Sequence, residues 1–194
     1  MGSPSLDSPG SKVLPPAYLA HVVLRTNKLQ AMSSFYQKFL GATVTYENDR
    51  ASFLRFDQEH HRIALLGIPG TADKNPKSCG LEHIAFTYRT LTDLALSYLQ
   101  RKQNGFEPYF CVNHGPTTSI YYHDPDGNQL ETQVDNFDTL EEATAFVDSP
   151  EFAANPVGTD FDPEELVRRI QSGEDDKLIK KRVESGPKEI FSFD

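Results

Sequence analysis

One order of elements occurs twice in this chain, and that repetition constrains the fold more than any other feature. Residues 18–26 (YLAHVVLRT) are apolar and β-branched and read as a strand. Residues 29–40 place Leu29, Met32, Phe35, Tyr36 and Phe39 on one helical face, with Gly41 as the stop. Three short strand-like runs follow at 42–47, 52–56 and 61–68, then a polar loop at 69–78. The order then returns. Residues 81–88 (LEHIAFTY) form a strand, and 91–103 an amphipathic helix carrying Leu94, Leu96, Tyr98 and Leu99. Residues 106–112, 118–123 and 129–134 form three more strands. AHVVLRT at 20–26 overlays EHIAFTY at 82–88, with His21 on His83. SFLRFDQEHHRIALL at 52–66 overlays SIYYHDPDGNQLETQ at 119–133 without a gap, which puts Ala64 on Glu131. The expected fold class is α+β, built from paired βαβββ modules at 18–68 and 80–135 within one unit spanning 17–137.

The flanks differ from the repeat. Residues 1–16 read as a flexible lead ending at Pro15-Pro16. Residues 138–194 read as an acidic helical extension with helices at 140–147 and 163–171. The second begins on Asp162-Pro163-Glu164-Glu165, an Asp cap, a Pro at the first position and acids in the first turn. From Gly173 onward the tail is charged, shows no chemistry and is expected to pack loosely. A net charge of −9 without a basic patch argues against nucleic acid and anionic membrane as partners. No apolar run approaches the roughly 20 residues of a membrane span, and the N-terminus has no apolar signal core. Cys79 and Cys111 lie in no metal-ligand spacing, so a reducing, cytoplasmic setting is expected, with a Cys79–Cys111 disulfide as the alternative.

Strand parity brings out three metal-ligating candidates. His21 shares a face with Leu19 and Val23, His83 with Leu81 and Ala85, and Glu131 with Gln129 and Gln133. Polar groups among inward apolar neighbours need a partner. A single histidine of this kind is commonly structural, but two at equivalent places of a repeat, with a strand Glu, point to one shared divalent cation. Two His and one carboxylate form a facial triad that leaves coordination positions open and favours non-haem Fe(II), with Mn(II) not separable by ligand type. Ala64, the counterpart of Glu131, cannot ligate, so a four-ligand arrangement is reduced to three.

The run His123-Asp124-Pro125-Asp126-Gly127-Asn128 is a hairpin signal. If Asp124 pairs with Asn128, Tyr121 lies opposite Glu131 and on the same face. A strand Tyr is equally a core residue with a tethered hydroxyl. His114, beside Gly115 and Pro116, is open to an exposed-loop reading, and His60 and His61 to a turn or a pocket wall. His123 is expected in solvent.

These residues resemble the type I extradiol catechol dioxygenases of the glyoxalase/bleomycin-resistance/vicinal-oxygen-chelate superfamily. The similarity is greatest to the catalytic half of 2,3-dihydroxybiphenyl 1,2-dioxygenases. It is carried by AHVVLRTNKLQAMSSFYQKFLGA, HHRIAL, GLEHIAF and NHGPTTSIYYHDPDGNQLE, across about residues 18–137. The resemblance implies a half-open, antiparallel-rich barrel and metal ligation by His21, His83 and Glu131. It further implies His61, His114 and Tyr121 as catalytic side chains, O2 as co-substrate, a small aromatic diol as substrate, and a homo-oligomer. The chain departs from the two-domain members in having one catalytic-type unit with a short tail. A glyoxalase-type lyase or isomerase would want a ligand where Ala64 stands, and a bleomycin-binding relative would lack the triad.

Overall fold

Each half of the repeat builds its own sheet. In the computed structural model, which describes residues 6–7 and 11–187, the first half comprises β1 (Val22–Thr26), α1 (Leu29–Leu40), β2 (Thr43–Glu47), β3 (Ala51–Arg55) and β4 (Ile63–Gly67). The second comprises β5 (His83–Thr87), α2 (Leu91–Gln103), β6 (Phe110–Asn113), β7 (Thr117–His123) and β8 (Gln129–Asp135). Strand order is β1-β4-β3-β2 in one sheet and β5-β8-β7-β6 in the other, and the two are not closed into a barrel. In both, the first strand runs parallel to the last and the remaining pairs are antiparallel. The outer part of the expected N-terminal lead (1–5 and 8–10) and the end of the tail (188–194) lie outside the described residues.

The register makes the repeat explicit. Val23 pairs with Ala64 and Ala85 pairs with Glu131, so Ala64 is the structural counterpart of Glu131. The gap-free overlay fails by one residue in β3, because Phe53 faces Ala64 whereas Tyr121 faces Glu131. The counterpart of Tyr121 is therefore Phe53, not Leu54. The cause is the connection. β7 and β8 are joined by a tight turn with Gly127 at φ 80°, while the longer β3–β4 loop is braced by Arg62 on Asp57 at 2.9 Å.

α1 and α2 each present an apolar face to the core, and the aromatic contacts join the two halves. Phe35 and Phe39 of α1 pack against Phe106, and Phe39 against Tyr122 of β7. Leu96 does not belong to the buried face of α2; it is 51% exposed, while Leu91, Leu94, Ala95 and Tyr98 are buried. Asp124 ties the β7–β8 turn to α1. Its carboxylate accepts from the backbone N–H of Asp126 and Asn128, from Asn128 Nδ2 and from the Tyr36 hydroxyl at 2.9 Å. Asp124 is buried. Asp124→Ala would strand the buried Tyr36 hydroxyl and loosen the turn, at a cost of about 3 kcal/mol. Urea unfolding would show this as a lowered midpoint with unchanged slope, and Tyr36→Phe would lower it less.

The extension is more ordered than its composition implies. It contains α3 (Leu140–Val147), α4 (Pro150–Ala154), β9 (Thr159–Asp160), α5 (Pro163–Gln171) and α6 (Asp176–Lys180). β9 pairs with β6 and extends the second sheet. Leu166, Val167 and Ile179 join the apolar core. The expectation of a loosely packed tail fails at Ile179 and Arg182, both buried. Apolar anchors spaced among charges leave no periodic signal over so short a stretch.

Candidate metal centre

The faces that carry the two candidate histidines are not turned into the core. Leu19 is 75%, Val23 49% and Leu81 51% exposed, and Ala85 is exposed as well. The core takes the opposite faces, through Leu24 in β1 and Ile84 in β5. Parity correctly groups the residues of a face, but helices cover the other side of each sheet. The need for a partner therefore falls on Glu131, which is buried, more than on the histidines.

β1 and β5 each lie at one edge of their sheet. A cleft of about 310 Å³ runs between them, lined by Ala20, His21 and Val22 on one side and Ile84, Ala85 and Phe86 on the other. His83 opens β5, and His21 stands one residue ahead of β1.

Four of the six candidate side chains form one connected group. His83 Nε2 lies 3.0 Å from Glu131 Oε2, with the carboxylate only 6% exposed and the imidazole 37% exposed. Tyr121 is directly opposite Glu131 in the β7–β8 ladder, with its ring edge-on to His83 at 5.7 Å. The hydroxyl of Tyr121 is 3.0 Å from His114 Nε2. Burial, followed by the charge of the neighbouring Glu131, pushes the Tyr121 phenol far above its ordinary value, so it stays protonated. Burial holds the His114 imidazole below its ordinary value, opposed in part by the Val157 carbonyl and the Glu131 charge.

The other two candidates form a second group. The His21 ring lies 4.4 Å from that of His61, which in turn stacks on Phe53 at 5.0 Å. His61 Nδ1 shares a hydrogen bond with His60 Nδ1 at 2.6 Å. Burial, then the His21 and His60 charges, lower the His61 pKa. The structure therefore joins His83 with Glu131 and leaves His21 beside His61. Among the described residues, no three His, Cys, Asp or Glu side chains stand close enough to share a metal ion. The donor chemistry suits a divalent cation, with two nitrogens and one buried carboxylate oxygen. His83 and Glu131 stand side by side, and His21 would have to turn from His61 to join them.

Sequence reasoning missed three neighbours of the site. Tyr109 lies between the rings of Tyr121, at 6.2 Å, and His123, at 4.1 Å, and its hydroxyl donates to Gln129 Oε1. His123 is exposed as expected, but it is stacked on Tyr109. The Val157 carbonyl accepts from His114 Nδ1, and Arg182 donates to the His114 carbonyl. A backbone carbonyl from a distant loop leaves no mark on a sequence. Cys79 and Cys111 are both free, so the disulfide alternative does not hold.

Residues 18–132 match the model of the Glyoxalase/Bleomycin resistance protein/Dioxygenase superfamily, and the chain belongs to that superfamily. Two curated relatives from Rhodococcus globerulus resemble it strongly. Biphenyl-2,3-diol 1,2-dioxygenase 2 is 47% identical over 79% of this chain and 82% of its own length. Biphenyl-2,3-diol 1,2-dioxygenase 3 is 48% identical over 80% and 83%. Among solved structures, a lactoylglutathione lyase from Agrobacterium tumefaciens matches with a TM-score of 0.52 at 17% identity, covering 62% of this chain and 96% of the other. That likeness concerns the fold alone. No described helix is long and apolar enough to cross a membrane.

Proposed function

We propose that this chain is an extradiol dioxygenase that opens the ring of a catechol-type aromatic diol, of the kind named for its Rhodococcus relatives, using O2 and a non-haem metal ion. The observation that carries the reading is the connected group His83–Glu131–Tyr121–His114, in a chain nearly half identical to two biphenyl-2,3-diol dioxygenases. His21, His83 and Glu131 would hold the ion, with Fe(II) favoured over Mn(II). When bound, the metal supplies a chelating centre for both diol oxygens and a path for electrons from the diol to O2.

The protein's own side chains do the rest. The Tyr121 hydroxyl donates to His114 Nε2 and orients one diol oxygen by accepting from its O–H. His114, neutral and half-buried, takes up a proton at Nε2 as the diol gives its own to the Tyr121 oxygen. His61 sits beside His21 with its pKa lowered, so it is neutral at pH 7, takes up the second diol proton as a base and returns that proton later in the reaction. Tyr109 and Tyr121 offer aromatic faces to a planar substrate. The two free cysteines fit a cytoplasmic setting. Homo-oligomerisation belongs to the same reading, supported by Leu96, Leu140 and Val147, which stand in solvent.

The test is oxygen uptake by Fe(II)-loaded protein across a catechol panel that includes biphenyl-2,3-diol. One O2 consumed per diol, with the visible absorption of a ring-opened semialdehyde, is expected. No uptake with any catechol, from protein shown to carry iron, would sink the reading. Turnover of a hemithioacetal without O2 would instead favour a lyase, a reaction that Ala64 at the counterpart of Glu131 disfavours.

A further inference from the structure

The described part of the C-terminal extension encloses His114. The loop after α4 is closed by Asn155, which is buried. Its Oδ1 accepts from Gly158 N at 2.7 Å and its Nδ2 donates to Gly158 O at 3.1 Å. That closure presents the Val157 carbonyl to His114 Nδ1 at 2.5 Å. A carbonyl only accepts, so Nδ1 carries the hydrogen. In a neutral imidazole the other nitrogen is then a lone-pair acceptor, and Nε2 is the one facing the Tyr121 hydroxyl at 3.0 Å.

Two further features hold this loop against His114. Gly158 has φ +103°, and a Cβ there would stand 2.2 Å from the Asn113 carbonyl oxygen and 2.7 Å from His114 Cα. Only glycine lets the loop lie this close. Arg182 has a side chain only 2% exposed. Its guanidinium donates to the carbonyls of His114, Asn155 and Glu151, and its Nε and Nη2 pair with Glu184. All its N–H donors are thereby engaged, and three of them link the His114 turn to α4 and the loop that follows. Lysine has three donors on one atom and cannot span the same set.

We infer that Arg182 is a positioning residue for the ring-opening reaction, acting with the Val157 carbonyl to hold His114 as the Nδ1–H tautomer so that Nε2 is the proton acceptor. This rests on the dioxygenase reading for the use made of His114, but not for its tautomer. The experiment is heteronuclear NMR of the metal-free full-length protein labelled with ¹⁵N-histidine, with His114 assigned through His114→Gln. The wild type is expected to show protonated Nδ1 and unprotonated Nε2. Gly158→Ala and Arg182→Leu are expected to shift His114 toward Nε2–H. With biphenyl-2,3-diol both should lower kcat by about tenfold to a hundredfold at nearly constant KM, and Arg182→Lys should recover little.

A wild-type spectrum with His114 as Nε2–H overturns the inference whether or not any variant folds. Folded Gly158→Ala and Arg182→Leu proteins that keep the wild-type tautomer and kcat overturn it as well. A wild-type protein that shows the Nδ1–H tautomer but opens no ring leaves the positioning intact and removes the dioxygenase reading instead.

Discussion

Glu131→Ala yields a folded chain that retains no iron and opens no ring. Glu131 is the only anionic donor among the three proposed ligands, and it lies buried beside His83. Replacing it with alanine leaves a cation with imidazole donors alone in a half-buried setting, where hard oxygen ligation and charge neutralisation are both lost. Turnover should fall to background, at least about a thousandfold, and iron per chain to near zero. The metal-free variant should be as stable as the metal-free wild type or more stable, because a buried carboxylate costs energy without its cation. Metal analysis after anaerobic gel filtration and a thermal melt of both apo forms check this. Iron bound at the wild-type level by Glu131→Ala would remove the residue from the ligand set.

Tyr121→Phe and His114→Ala should keep the metal and lose rate. Neither is a proposed ligand, and both belong to the chain of contacts that ends at Glu131. Loss of a positioned proton acceptor typically costs about 10² to 10⁴ in rate, so His114→Ala should fall in that range and Tyr121→Phe near its lower end. Because His114 and Tyr121 share one hydrogen bond, the double variant should fall little further than His114→Ala. Single-turnover kinetics on iron-replete protein measure all three. Additive losses would mean that the two side chains act separately.

Much of this molecule is legible in the sequence. The helices over 29–40 and 91–103 follow from apolar spacing, the first with its stop at Gly41. The placement of Tyr121 opposite Glu131 follows from a turn whose Asp, Pro and Gly permit little else. The equivalence of Ala64 and Glu131 survives in the registers, although β3 slips by one residue. What failed has a common physical origin. Period-two alternation tells which residues share a face but not which face the helices cover, so the expected inward neighbours of His21 and His83 face solvent. Leu96 shows the same limit for a helix. The bracing of His114 by Val157 and Arg182 was out of reach, since it depends on a carbonyl and on tertiary docking of a short tail.

His21 would turn from His61 to hold the same cation as His83 and Glu131. X-ray absorption spectroscopy at the iron edge of anaerobic, Fe(II)-loaded protein tests it most directly, compared with His21→Ala. Two imidazoles bound to iron in the wild type and one in the variant is the predicted result. Identical iron spectra from the two proteins, with His21 still packed on His61, would contradict it.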